Sequence, residues 1–101
     1  MSTIKILIAD DHPLVAESLG MLLEMQDNIE VLGTVNNGWQ ALSFVENAMP
    51  DIIIADLQMP LLNGINMTIR LREKFPKIKV KMMVVNKGWI KNHKGPNMVC
   101  L

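Results

Sequence analysis

Three aspartates stand at the ends of apolar runs, where a charged side chain is costly to bury. Asp10 and Asp11 follow the apolar run 4–9, and Asp56 closes the run 51–56. Three neighbouring carboxylates repel one another unless they share a cation or take up protons. Mg²⁺ binds oxygen ligands and prefers one or two carboxylates together with water and phosphate oxygens. If the two runs are neighbouring strands, the acids predict a Mg²⁺ site in which Asp56 is a nucleophile or a ligand.

The same acids also have a structural interpretation. An acid after a strand often forms a turn or caps a helix, and Asp11, two residues before Pro13, fits that role. The functional interpretation is favoured because acids end two separate apolar runs, which a single capping residue does not explain.

Composition restricts the class of protein. A chain of 101 residues favours one domain. Ten basic and ten acidic residues give a net charge of +0, which argues against direct nucleic-acid binding. Cys100 is the only cysteine, so an internal disulfide is excluded and a cytoplasmic location is expected. The run 4–9 is too short for a signal peptide or a membrane span, so no membrane association is expected.

Short apolar runs alternate with stretches of helical periodicity. Strands are predicted at 4–9, 30–35, 51–56 and 78–85, and helices from Pro13, over 39–48 and from Ile65 to near Pro76. This alternation predicts an α/β fold with a parallel sheet and helices on both faces, because each parallel connection needs a crossover. Ligands of such sheets bind at the carboxyl ends of the strands. If the strands 4–9 and 51–56 are neighbours, the three acids meet at one edge of the sheet.

The helical spacing and residue types also predict which side chains are buried. In the first helix the expected buried face is Leu14, Val15, Leu19, Leu22 and Leu23, and in the third it is Ile65, Ile69 and Leu71. Four methionines are expected to fill the core: Met21, Met25, Met82 and Met83.

Three segments resemble a known family. They are ILIADDHPLV (6–15), NNGWQAL (36–42) and PDIIIADLQMPLLNG (50–64). Together they are similar to the receiver domain of bacterial two-component response regulators, most of all the NarL/FixJ-type subgroup, and the similarity extends from about residue 4 to residue 84. The resemblance implies a flavodoxin-like, doubly wound parallel sheet and a role as phosphoryl acceptor from a partner histidine kinase.

The resemblance also implies roles for individual residues. Asp56 matches the phosphorylated position, and Asp11 matches the Mg²⁺ site, with Asp10 acting more through water. The backbone carbonyl of Gln58 matches the remaining protein ligand of the metal. A histidine often follows the acid pair in this subgroup, so His12 is not assigned a catalytic role.

The C-terminal part departs from the family pattern. Val84 stands where the family has Ser or Thr, and Lys91, the only candidate for the family's lysine, follows the fourth strand almost at once. The fourth helix, fifth strand and fifth helix, and any DNA-binding output domain, are therefore expected to be missing or replaced. The expected organisation is an incomplete receiver domain over 1–85 and an irregular tail over 86–101, as a truncation or frameshift would leave.

Three functions remain open. The first is a signalling receiver that is not itself an enzyme, and the second is a receiver-derived interaction module without a phosphorylation switch. The third is a Mg²⁺-dependent phosphohydrolase, which is less favoured because Gln58 stands where aspartate phosphatases carry a second acid.

The missing fifth strand has a consequence for assembly. Without it the fourth strand becomes an exposed edge, whose unpaired backbone groups favour pairing with another chain. Self-association through the fourth strand and the tail is expected, unless the tail closes the sheet through a parallel crossover.

Overall fold

The computed structural model describes residues 3–84 and 97–100. The elements are β1 (Ile4–Ala9), α1 (Pro13–Glu24), β2 (Ile29–Val35), α2 (Gly38–Asn47), β3 (Ile52–Asp56), α3 (Gly64–Lys74), β4 (Lys79–Val84) and β5 (Asn97–Cys100). The described strands form one sheet in the order β2-β1-β3-β4-β5, in which the first four are parallel. The predicted α/β, flavodoxin-like architecture is confirmed. None of the helices in the described ranges is long and apolar enough to cross a membrane.

The central strands β1 and β3 are neighbours, which is the condition on which the predicted meeting of the acids depended. Their register pairs Ile6 with Ile52 and Ala9 with Ala55. Because the strands are parallel, the residues that follow Ala9 and Ala55 emerge at the same edge of the sheet. This pairing brings Asp10 and Asp56 together.

Apolar side chains fill a core on each face of the sheet. The core shared with α2 and α3 contains Leu7, Ile53, Val45, Met67 and Leu71, among others. The core shared with α1 contains Ile6, Ile8, Leu19, Ile54 and Met83, among others. Full burial of one such side chain is worth about 1.5 to 3 kcal/mol. Successive side chains of β1 pack alternately into the two cores, and so do those of β3, which anchors the strand ends that carry the acids.

The structure corrects the expected exposed edge at β4. β5 pairs with β4 in antiparallel orientation, with Lys81 opposite Cys100 and Val84 opposite Asn97. An antiparallel pair needs no crossover, whereas the parallel return that the sequence suggested does need one, and the connection 86–96 is barely long enough for it. The expectation that β4 is the edge of the sheet is wrong, because β5 takes that place.

The predicted helix faces are only partly correct. In α1, Val15 and Leu19 are buried, but Leu14 is 67% and Leu22 is 55% exposed. In α3 the core is formed by Met67 and Leu71, with Thr68, whereas Ile65 and Ile69 are exposed. A helix lying on a sheet buries a narrow stripe, so apolar side chains beside that stripe stay exposed unless another element covers them.

The methionine prediction holds for the sheet and fails for the helix. Met82 and Met83 of β4 are buried, as expected. Met21 and Met25 are 66% and 75% exposed, so their assignment to the core is wrong. They lie on the side of α1 that faces away from the sheet core.

Candidate functional site

The carboxyl ends of β1 and β3 gather four side chains that can bind a metal ion. Asp10, Asp11, His12 and Asp56 each offer a ligand atom, and these atoms all lie within 4.8 Å of one another. The sequence predicted that the three aspartates meet if β1 and β3 are neighbours, and the structure fulfils that condition and brings them together. His12 joins them, although sequence reasoning gave it no role.

Backbone hydrogen bonds hold the site residues in the plane of the sheet. The N–H of Asp10 donates to the carbonyl of Val35 at 2.9 Å. The N–H of Leu57 donates to the carbonyl of Met83, also at 2.9 Å. The hydrogen bonds between β1 and β2, and those between β3 and β4, thus continue to the carboxyl ends of the strands. They fix the backbone positions of Asp10 and Asp56.

Asp56 is a buried carboxyl group with one oxygen engaged. Its residue is 1% exposed, and its Oδ1 accepts a hydrogen bond from the backbone N–H of Gln58 at 3.1 Å. Its Oδ2 is buried and has no hydrogen-bond partner among the described residues. Burial chiefly raises the pKa of Asp56, opposed by the Gln58 N–H and the charge of His12 and assisted by the charges of Asp10 and Asp11, to about 6 in all.

Asp10 and Asp11 differ in their exposure. Asp10 is 1% exposed, and its Oδ1 accepts hydrogen bonds from the backbone N–H of His12 at 2.8 Å and from the ring at 2.7 Å. Its Oδ2 is buried without a hydrogen-bond partner among the described residues. The Asp11 side chain is 35% exposed. Asp11 therefore faces the solvent side of the cluster, where a bound ion would keep its water.

The His12 ring lies at the centre of the cluster. Its Nδ1 is 2.7 Å from Asp10 Oδ1, 3.3 Å from Asp11 Oδ1 and 3.1 Å from Asp56 Oδ2. Partial burial lowers the pKa of His12, but the hydrogen bond with Asp10 and the negative charge of the three aspartates outweigh it, so the pKa is raised above 6.5. The adjacency of His12 to the acid pair was the only sequence signal for this position.

Two glycines allow the loop after Asp56 to close over the sheet edge. A Cβ on Gly64 would lie 2.6 Å from the carbonyl oxygen of Asp56 and 2.7 Å from Met82 Sδ. A Cβ on Gly38 would lie 2.6 Å from the carbonyl oxygen of Leu62, to which the Gly38 N–H donates at 2.9 Å. Both glycines are thus required for close approach of the backbone.

The remaining residues singled out in the sequence have different outcomes. Gln58 is exposed and approaches Asp56 through its backbone N–H, and the role of its carbonyl as a metal ligand stays a prediction. Val84 ends β4, one residue after Met83, which pairs with Asp56. Lys91 lies outside the described residues.

Comparison with known proteins identifies the family. Residues 6–93 match the response regulator receiver domain, and the chain belongs to this family. It is 36% identical over 84 residues to the transcriptional regulatory protein LnrK of Bacillus subtilis (83% of this chain, 38% of that protein). It is 41% identical over 69 residues to the nitrate/nitrite response regulator protein NarL of Escherichia coli K12 (68% of this chain, 32% of that protein).

A solved structure gives the same assignment. The crystal structure of a LuxR-family two-component response regulator from Aurantimonas sp. SI85-9A1 matches with a TM-score of 0.79 and 27% identity, over 85% of this chain and 61% of that chain. The resemblance to NarL-type receivers is therefore confirmed. The chain spans 38% and 32% of the length of the two curated relatives named above.

Proposed function

We propose that the chain is the phosphoacceptor module of a two-component signalling system. Asp56 takes a phosphoryl group from the phosphohistidine of a histidine kinase, and Mg²⁺ is held beside it. Residues 1–85 form the receiver unit and 86–101 its tail, and the chain acts as a phosphoryl acceptor rather than as an enzyme. The proposal includes no direct contact with nucleic acid or membrane.

The observation that carries this proposal is the state of Asp56. Burying a carboxyl group with one oxygen that makes no hydrogen bond costs stability, so the fold keeps such a group only where it has a use. Asp56 Oδ1 is engaged by the Gln58 N–H, which leaves Oδ2 without a hydrogen bond. Because the pKa of Asp56 is about 6, this side chain is mostly ionised at neutral pH and is available as a nucleophile.

The donor set fits a divalent cation. Buried carboxylate oxygens with no partner are found on both Asp10 and Asp56, and Asp11 supplies a third, partly exposed carboxylate. Asp10, Asp11 and Asp56 would hold Mg²⁺, together with the backbone carbonyl of Gln58. When bound, Mg²⁺ would neutralise charge on the oxygens of the phosphoryl group.

The side chains of this site supply the remaining steps. Asp56 Oδ2 attacks phosphorus as the bond between phosphorus and the kinase imidazole breaks, so the leaving group is the imidazole nitrogen and the product is an acyl phosphate. The Gln58 N–H binds Oδ1, which leaves Oδ2 as the oxygen that lies 3.1 Å from Nδ1 of His12 within the cluster. Water later attacks the acyl phosphate and restores the carboxylate.

A second function is favoured by the end of β4. The family carries a hydroxyl side chain at the position of Val84, and Val84 has none to move toward a phosphoryl group. The backbone of Val84 also pairs with Asn97 of the antiparallel β5. A receiver-derived interaction module that is not switched by phosphorylation is therefore the alternative to a full signalling receiver.

The test is modification by a small phosphodonor. The protein is incubated with acetyl phosphate in Mg²⁺ or in EDTA, and its intact mass is measured. We expect one phosphoryl group per chain in Mg²⁺, and none in Asp56→Asn. Asp51→Asn is the matched control, because Asp51 is an exposed aspartate beside the opposite end of β3. Equal modification of the parent and Asp56→Asn would refute the acceptor assignment.

A second measurement on the phosphorylated and unmodified protein distinguishes the two proposed functions. Amide exchange of β4 and of the loop after Asp56 is compared with and without the phosphoryl group. Large changes on phosphorylation support a full signalling receiver. Phosphorylation without such changes supports the interaction module.

A further inference from the structure

A groove lies on the molecular surface between α2 and α3. Its volume is ≈ 540 Å³, a size typical of pockets that hold small organic molecules. Trp39, Leu42 and Phe75 supply the apolar part of its lining. Leu42 and Phe75 are half-buried and pack against the core beneath the two helices, whereas Trp39 is 46% exposed. The groove therefore combines apolar side chains fixed by the core with an indole ring that is open to solvent.

Two contacts cross this groove from α3 to α2 and limit its length. The guanidinium carbon of Arg70 lies over the Trp39 ring, 4.7 Å from the ring centroid. The Nζ of Lys74 lies 3.1 Å from Glu46 Oε1. Along α2, Trp39 and Glu46 are roughly 10 Å apart, given a rise of about 1.5 Å per residue. The space between the two contacts therefore fits a small ligand rather than a long peptide.

Arg70 is a cation that the groove leaves without an acidic partner. Lys74 is paired with Glu46, but Arg70 forms no ion pair with any of the described residues. A guanidinium that lies over an aromatic ring keeps the N–H groups at its edge available, and these bind a carboxylate in pairs. Glu73 also lines the groove and, as a like charge, opposes a bound anion. The groove thus offers one carboxylate position, at Arg70, beside an apolar surface.

We propose that the groove between α2 and α3 binds small aromatic carboxylates. The carboxylate of the ligand pairs with the Arg70 guanidinium, and its ring packs against Trp39, Leu42 and Phe75. An aromatic ring is the favoured body of the ligand because two of these three apolar side chains are themselves aromatic. The groove shares no residue with the metal site of the proposed function, so failure of one proposal leaves the other intact.

The test is a titration of the full chain with naphthylacetate, followed by NMR of the backbone amides and the indole N–H groups. Trp39→Phe identifies the indole signal of Trp39. The neutral analogue naphthylacetamide tests the carboxylate of the ligand, and Arg70→Gln tests its partner in the protein. Arg72→Gln is the matched control, because Arg72 is an exposed arginine of α3 that does not line the groove.

Because much of the lining is exposed, we expect a Kd of about 1 mM for naphthylacetate, with saturable shifts of the Trp39 indole signal and of amides in α2 and α3. Naphthylacetamide should bind the parent at least about fivefold more weakly, and Arg70→Gln should weaken the binding of naphthylacetate by a similar factor. Arg72→Gln should leave that affinity unchanged. Glu73→Gln should raise it about twofold, because a like charge is removed.

Three results would each overturn the proposal. The first is the absence of saturable shifts in α2 and α3 up to about 10 mM naphthylacetate. The second is equal affinity of the parent for the carboxylate and for its neutral amide. The third is equal affinity of Arg70→Gln and Arg72→Gln for naphthylacetate, which would show a general effect of charge in place of a contact with Arg70.

Discussion

Replacing Asp56 by asparagine should stabilise the metal-free protein near neutral pH. The pKa of Asp56 is raised from 3.8 to about 6, chiefly by burial, so the folded state binds the proton of this group more tightly than the unfolded state. In the parent, the stability supplied by protonated Asp56 is fully present below about pH 4 and is lost as the pH rises to about 6. Asparagine has the same shape and no charge to bury.

The size of the effect follows from this shift and from the contacts of the side chain. About two pKa units correspond to roughly 3 kcal/mol of free energy. An asparagine Oδ1 keeps the hydrogen bond from the Gln58 N–H, but the neutral side chain loses its attraction to a charged His12. We therefore expect the free energy of unfolding at about pH 7 to rise by about 1 to 3 kcal/mol in Asp56→Asn.

The assay is urea unfolding in EDTA at a series of pH values between about 4 and 8. As the pH rises from about 4 to about 6, the free energy of unfolding of the parent should fall, and that of Asp56→Asn should fall less. Asp27→Asn is the control, since Asp27 is exposed in a turn and its replacement should change the free energy by less than about 0.5 kcal/mol. Equal stability of Asp56→Asn and the parent at neutral pH, with parallel pH profiles, would refute the argument.

Two further predictions concern packing and assembly. Gly64→Ala should destabilise the fold by about 1 to 3 kcal/mol in urea unfolding, because the new Cβ would lie 2.6 Å from the Asp56 carbonyl oxygen. Gly20→Ala, within α1, should be neutral or stabilising, since its Cβ meets only Ile8 at 3.7 Å, and equal effects of the two changes would contradict this account. Self-association is still expected, now also through the exposed apolar side chains of α1 and its C-cap, so light scattering should give a dimer. Replacing Met21 and Met25 by lysine should weaken this dimer, whereas Ser43→Lys, at an exposed position of α2 on the other face of the sheet, should not. A parent that stays monomeric at high concentration would rule the interface out.

The position of the acids was predictable because it depends on local patterns. Ile4–Ala9 and Ile52–Asp56 are short, apolar and bounded by polar residues, so their strand character and parallel orientation follow from sequence, whereas their being neighbours was a condition that the structure fulfils. The sheet edge at which Asp10 and Asp56 meet follows in turn from the topology. These steps need no knowledge of side-chain conformation.

The features that sequence reasoning missed depend on tertiary context. The return of Asn97–Cys100 to β4 involves only four residues, whose pattern has no distinctive period. The exposure of Met21 and Met25 depends on whether another element covers the outer side of α1, which the periodicity of the helix cannot show. The direction of the His12 ring is a rotamer choice, and the ring nitrogen lies within 3.3 Å of carboxylate oxygens of Asp10, Asp11 and Asp56, the last of which only the fold brings close.

The most direct test of the central claim is to locate the phosphoryl group on the parent chain. After reaction with acetyl phosphate and Mg²⁺, borohydride reduces an aspartyl phosphate to homoserine, which peptide mass spectrometry identifies by position. This account predicts homoserine at residue 56 and at no other aspartate, with no homoserine when EDTA replaces Mg²⁺. Homoserine at Asp10, Asp11 or Asp51, or the absence of homoserine from a chain that has gained a phosphoryl group, would contradict it.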